Sequence, residues 1–296
     1  MRISDWEGGH ALPEQAASDV RTFGIYRVRD YFERGGVGHL VLHWAGQRWQ
    51  GEVRNPAAVT GVRSGSVVEA QFSCAAGAQP SLCFIRVLEP GEYWPSQVMP
   101  TSWCVDGADP ERLRLLIERL CTAPFRHFME GVVDDLVLLK RFFQVKASYK
   151  HHHSVAGGLL RHSLECAETT EQAVQTAPRS CNTAIDDHLR DALVLAALFH
   201  DFGKTLTHSS ESSWILRKTA HEHLSLVALA GHLPRLANVS PPAHATLIHL
   251  LVQDAQGKGY ASPLPLVDTI RMADRMSAGL AIVGNKQDVS ARPKRM

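Results

Sequence analysis

Histidine is the residue type that carries chemical information in this sequence, because 12 of the 16 lie between positions 151 and 249. They are His151, His152, His153, His162, His188, His200, His208, His221, His223, His232, His244 and His249. Imidazole is the commonest neutral metal ligand, and carboxylates complete sites for hard or borderline cations. The stretch "HHHSVAGGLLRHSLE" opens with a histidine cluster, continues with a glycine pair that lets backbone approach closely, and places His162 one turn into an apolar helix. The stretch "LAALFHDFGK" ends an apolar helix with His200 and Asp201, which lie about 100° apart on the helical wheel and so can face one point. In "DTIRMADRMSAG", Asp274 occupies an apolar helical face beside Ile270, Met272, Ala273 and Met276. Polar groups at the edge of a core need partners, since unpaired burial is unfavourable. Taken singly, each has an ordinary explanation: a hydrogen-bonded core histidine, Asp201 capping the next helix, or Asp274 paired with Arg271 or Arg275. Taken together, in order on successive helices, they describe a metal site.

The elements that must position these residues begin near position 108. "DPERLRLLIERLC" has Asp109 as N-cap and Pro110 at the first helical position, and helix-period segments follow at about 128–145, 155–175, 186–200, 217–233, 241–255 and 263–282. Before them, 21–30, 37–44, 47–54, 65–73 and 81–89 read as five short strands separated by Gly, Asn or Pro turns, which suits a small OB-like barrel. The expected class is α+β and multidomain: an OB-like β domain over 1–95, a linker over 96–107, an all-α domain over 108–284 and a flexible tail over 285–296. No internal repeat or low-complexity segment interrupts this order.

Composition narrows the function classes. The 296 residues are 45% hydrophobic and 21% charged, which is ordinary for a soluble globular chain. No apolar run approaches the ~20 residues of a membrane span, and "MRISDWEGGH" lacks the apolar core of a signal peptide, so a cytoplasmic location is expected. Six scattered cysteines form no CxxC pair, which fits a reducing compartment and argues against a structural zinc site. Net charge is only +1, with residues 1–110 at −3 (9 Arg, 12 acids) and the remainder at +4 (22 basic, 18 acidic), so there is no broad basic face. Neither a GxSxG nucleophile elbow nor a GxxxxGK[ST] phosphate loop occurs.

The ordered pattern H…HD…D, carried by "HHHSVAGGLLRHSLE", "LAALFHDFGK" and "IRMADRMSA", resembles the HD-domain metal-dependent phosphohydrolases over roughly 145–282. Within that superfamily the wording is similar to bacterial exoribonucleases that couple an OB-fold to an HD domain, and to HD domains of relaxase-like proteins on conjugative elements. The resemblance implies His162, His200, Asp201 and Asp274 as ligands of one divalent ion. Many members hold a second ion, for which it suggests His223 and His249, with His221 and His244 as competitors and Asp201 as the bridge. It implies that Lys204 faces a phosphate, and that His151 and His152 are substrate-facing or support the ligands. A mixed N/O ligand set without thiolates favours Mn²⁺, with Mg²⁺, Fe or Ni as alternatives, one or two ions per chain.

Two metals about 3.5–4 Å apart clamp the attacking and leaving oxygens of a phosphoryl transfer. The leading expectation is therefore a divalent-metal-dependent phosphodiesterase, a nuclease of 3′–5′ exonuclease type acting on single-stranded RNA or DNA. The alternatives are a small-nucleotide phosphohydrolase and a non-catalytic scaffold in DNA processing on a mobile element. In the β domain, Tyr26, Trp44 and Trp49 interleave with Arg27, Arg29, Arg48 and Arg54, the combination that stacks and neutralises single-stranded nucleic acid. The ordinary alternative is that these aromatics form the core of the β domain.

Overall fold

The computed structural model describes residues 3–5, 20–44, 47–53, 59–74, 81–148, 153–177, 185–208, 213–255 and 267–290. The chain divides into two compact units, Met1–Ser102 and Trp103–Met296.

The first unit is an antiparallel sheet of β1 (Ile3–Asp5), β2 (Val20–Arg34), β3 (Val37–Trp44), β4 (Gln47–Val53), β5 (Val67–Cys74) and β6 (Ser81–Val87), in the order β1-β4-β3-β2-β5-β6. Strands β2 and β3 join through Gly35 and Gly36, both at positive φ (60° and 73°), the backbone that a two-residue hairpin turn requires. A register shift between Val28 and Asp30 changes which residues of β2 point inward: Tyr26 and Val28 face the core before it, and Tyr31 after it. The sheet curls on itself, because Trp49 of β4 meets Phe72 of β5, with ring centroids 5.1 Å apart, although two strands separate them in the ladder.

Curling does not reach closure. The expected barrel is instead an open sheet among the described residues, since β1 occupies the free edge of β4 that a closing strand would need. The expected linker is also partly sheet-bound: Val98 is buried with Val67 and Leu88, and Arg27 Nε donates to the Val98 carbonyl at 3.0 Å.

The second unit is helical: α1 (Ala108–Glu118), α2 (Ala123–Asp134), α3 (Leu136–Gln144), α4 (Gly158–Thr176), α5 (Asp187–Phe199), α6 (Lys204–Thr207), α7 (His221–Ala228), α8 (Leu233–Val239), α9 (Pro241–Ala255) and α10 (Asp268–Ser290). Helix α5 is the centre, buried from Asp191 to Phe199 and packed against α4, α9 and α10. A helix apolar on all sides belongs in the middle of a bundle. Its first half is fixed by polar contacts. Asp191, fully buried, accepts from the backbone N–H and hydroxyl of Thr122, both at 2.8 Å, while Arg190 pairs with Glu171 on α4.

Two expected helices are each broken in two. The 128–145 segment divides at Asp135, whose side chain accepts from Leu138 N at 3.0 Å and starts α3. The 217–233 segment ends α7 at Ala228, and a new helix starts at Leu233 with Pro234 in its first turn. Asp109 is not the N-cap of α1. The helix starts at Ala108, and the buried Asp109 carboxylate pairs with Arg112 and Arg161.

Trp49 is 2% exposed, so its ring belongs to the sheet core rather than to a nucleic-acid surface. Trp49→Ala is expected to destabilise the first unit by about 3–5 kcal/mol, read as a lower urea midpoint. An unchanged midpoint would contradict this placement.

Candidate metal centre

Helix α4 starts where the chain folds back on itself. Gly157 has φ of 78°, and a Cβ on Gly158 would stand 2.0 Å from the His153 carbonyl oxygen. Only this glycine pair lets the preceding loop lie on the helix start. Leu159, Leu160 and Leu164 then bury the helix and carry His162 to 0% exposure. His200 closes α5 as its C-cap residue, and Asp201 follows in the turn to α6. Gly203 permits a second close approach, because a Cβ there would meet the His221 carbonyl oxygen at 1.9 Å. Buried Ser225 on α7 fastens this turn: it accepts from Gly203 N at 3.0 Å and donates to the His200 carbonyl at 2.9 Å. Asp274 comes from α10, which packs along α4.

These elements converge. His162 Nε2 lies 3.2 Å from Asp274 Oδ1 and 3.4 Å from Asp201 Oδ2, and His200 Nε2 lies 3.6 Å from Asp201 Oδ2 and 3.7 Å from Asp274 Oδ1. The outward nitrogens fix the tautomers. His200 Nδ1–H donates to the Ala197 carbonyl at 2.8 Å. Ser277 gives its hydroxyl proton to Glu165, so its oxygen accepts from His162 Nδ1–H at 2.9 Å. Both Nε2 atoms therefore point inward, toward two carboxylates, and offer their lone pairs there once their protons are displaced. Such outer partners orient histidine ligands in metal sites.

Electrostatics follow from that arrangement. Burial opposes charge on His200, but Asp201 and Asp274 outweigh it and hold its pKa at about 9. Burial likewise opposes charge on His162, and the same two carboxylates raise its pKa. Asp274 is held below the usual carboxylate range by His162 and His200. Burial opposes charge on Asp201 too, yet His200, His162, His221 and Lys204 together drive its pKa far down. His200 Nε2 is buried and makes no hydrogen bond. It meets only the carboxylates of Asp201 and Asp274, at 3.6 and 3.7 Å, and imidazoles gathered with carboxylates are a donor set that could hold a cation.

Of the residues expected at this site, His162, His200, Asp201 and Asp274 come together, and Lys204 forms an ion pair with Asp201. His223 does not: it is exposed on α7, two residues and about 200° round the helix from His221. His221 takes the position instead, with Nε2 at 2.8 Å from Asp201 Oδ1. His249 is half-buried on α9, and neither it nor His223 belongs to the set of mutually close donors. That set is His162, Cys166, His200 and Asp274, whose ligand atoms all lie within 4.8 Å of one another. Asp201 reaches the same imidazoles but is also drawn toward Lys204 and His221.

His151 and His152 lie outside the described residues, as do the side chains of Trp44 and Arg48. Tyr26 is half-buried, edge-on to Phe72 in the sheet core. Cys166, Glu165 and Ser277 were given no role at this site by the sequence, and His153 was named only as a member of the histidine cluster. A signal existed for three: Glu165 and Cys166 stand three and four residues after His162, and Ser277 three after Asp274, each on its ligand's helical face.

Comparison with known proteins adds one partial match. Residues 116–212 are similar to the family TraI_2, described as "Putative helicase". That span holds His162, His200, Asp201 and Lys204 and stops short of His221 and Asp274. No curated protein and no solved structure matches the chain.

Because His200 titrates at about 9 in the metal-free protein, its Nε2 carries a proton at pH 7 that a cation must displace. Cobalt(II) affinity is thus expected to rise with pH toward 9, by about tenfold per pH unit for each proton displaced. Competition with a chromogenic chelator between pH 6 and 8.5 checks this, and a flat profile would contradict it.

Proposed function

We propose that this chain is a metal-dependent phosphohydrolase of the HD type, acting as a phosphodiesterase on single-stranded nucleic acid, and that its chemistry is 3′–5′ exonucleolytic. One observation carries the reading: two buried imidazoles direct their Nε2 atoms at two carboxylates, all within 3.2–3.7 Å. His162, His200 and Asp274, with Asp201 beside them, would hold the ion. When bound, the cation supplies Lewis-acid polarisation of a phosphoryl oxygen and a lowered pKa for water.

The remaining work falls to the chain's own groups. Lys204, 12% exposed and paired with Asp201, keeps a positive charge at the site where a phosphate would collect negative charge. His221, 2.8 Å from the other oxygen of Asp201, would serve a second ion or proton transfer. Asp274 is 46% exposed, and the same helix carries the exposed Met272 and Met276 with Arg271 and Arg275 lining a surface cavity. The two guanidinium groups suit a substrate that carries phosphates. That cavity lies round the helix from Asp274, and it is the half-exposed Asp274 itself that leaves the cluster reachable by a polymer as well as by a small nucleotide. The "Putative helicase" similarity is consistent with a nucleic-acid substrate, but the 296 residues contain no phosphate loop to drive a helicase with ATP.

The test uses end-labelled single-stranded RNA and DNA with Mn²⁺ or Co²⁺. Wild type is expected to shorten strands from the 3′ end only when metal is present. Asp201→Asn, folded by circular dichroism, is expected to lose at least about 100-fold in rate. Absence of any cleavage requiring both metal and Asp201 overturns the proposal. Hydrolysis of mononucleotides alone would move the substrate to the small-nucleotide class.

A further inference from the structure

Between α6 and α7 the chain carries an aromatic side chain that the bundle does not use. Trp214 is 75% exposed and Ile215 is 59% exposed, side by side on the turn that leads into a 3-10 helix, Leu216–Lys218. The turn is pinned at both ends. Ser213 opens it, its hydroxyl accepting from Leu216 N at 3.3 Å and its carbonyl from Arg217 N at 3.1 Å. Thr219 closes it, giving both its N–H and its hydroxyl to the Ile215 carbonyl, each at 3.1 Å. Leu216 is half-buried, and the 3-10 helix packs on α6. These bonds use backbone, Ser213 and Thr219, and none of them asks for an indole at 214. Trp214 is thus a large apolar ring held in water on a fixed turn, at a cost in hydration.

The same turn stands next to the candidate centre along the chain. Helix α6 begins with Lys204, paired to Asp201, and three residues after Lys218 comes His221, on the other oxygen of Asp201. With a rise of about 2.0 Å per residue up to Lys218 and at most about 3.6 Å per residue beyond it, Trp214 and His221 lie within about 20 Å of each other. Arg217 and Lys218 are exposed on the turn, and residues 213–220 contain no carboxylate, while Glu211 and Glu222 flank them in sequence. An exposed indole with cations beside it is complementary to one class of polymer, a strand that offers unpaired bases along a phosphate backbone. We propose that Trp214 is a stacking platform for an unpaired base of the substrate strand, with Arg217 and Lys218 meeting the phosphates next to that base. The inference rests on the nucleic-acid reading above and deepens it: part of the binding comes from bases, with little regard to their sequence, at a point apart from the ligand set. Because acids flank the two cations, stacking supplies the larger share.

The experiment reads binding by the full chain rather than cleavage. Fluorescence anisotropy follows labelled strands in EDTA, where metal-dependent shortening cannot occur. The probes are a thymidine strand of about 12 nucleotides and an abasic strand of the same length, which keeps the phosphates and lacks the bases. Wild type is expected to bind the thymidine strand more tightly than the abasic one. Trp214→Ala is expected to weaken binding of the thymidine strand at least about fivefold and to leave the abasic strand unchanged. Trp214→Phe, which keeps an aromatic face, is expected to retain most of the affinity, and Ile215→Ala to match wild type. Equal affinity of wild type and Trp214→Ala for the thymidine strand, or an equal loss on both strands, overturns base stacking. A wild-type dimer that Trp214→Ala dissociates in sedimentation, with strand binding unchanged, assigns this face to a second copy of the chain and overturns the proposal as well. Trp214-dependent binding without any metal-dependent cleavage keeps this site and removes the nuclease reading. Asp201-dependent cleavage with binding indifferent to Trp214 does the reverse.

Discussion

The helical unit is organised around one electrostatic requirement. Two buried imidazoles direct their Nε2 atoms at two carboxylates, of which Asp201 is buried and Asp274 half-exposed. Such a cluster is tolerable only with positive charge among its members, because unpaired buried anions are strongly unfavourable. Protons on the histidines meet the need when nothing else is bound, which is why both histidine pKa values rise against the effect of burial. A divalent cation meets it better, with two charges in place of two protons and with bonds directed at the lone pairs. The buried cluster could thus hold a metal ion in place of those protons.

That requirement explains features that look incidental along the chain. Gly158 and Gly203 are positions where a single methyl group would collide with backbone, at 2.0 and 1.9 Å, and each sits within four residues of a histidine or aspartate in the cluster. Ser225 and Ser277 are buried hydroxyls that hold His200's turn and His162's tautomer. At the far end of α5, the contacts of Asp191 with Thr122 and of Arg190 with Glu171 lock the helix along its length, so that His200 is delivered at a fixed height. Between these two ends, α5 is apolar and buried from Ala192 to Phe199 and supplies the packing.

How much of this was legible in the sequence divides along physical lines. His162, His200, Asp201 and Asp274 were readable, because polar residues on apolar helical faces are expensive unless gathered together, and the structure gathers them. The five strands were readable from alternation and turns. The choice of His221 over His223 was not, since it depends on where α7 begins, and that is set by the Gly203 contact and the Ser225 hydrogen bonds. Trp49 was misassigned because period-two alternation does not say which face of a curled sheet is inside. Barrel closure was likewise beyond reach, as it turns on β1 pairing with β4. Cys166 was counted only among six scattered cysteines, and its place against the His162 ring follows from the four-residue spacing on α4.

The central claim is that His162 and His200 offer their Nε2 lone pairs to one cation. ¹⁵N correlation spectra of histidine-labelled protein at neutral pH, before and after one equivalent of zinc, test it most directly. The account predicts that His200 passes from imidazolium to a neutral ring with Nδ1 protonated, and that the Nε2 signals of both His162 and His200 move to metal-bound positions. Spectra in which zinc leaves these two rings unchanged, with His162→Ala and His200→Ala variants used to assign them, would contradict it.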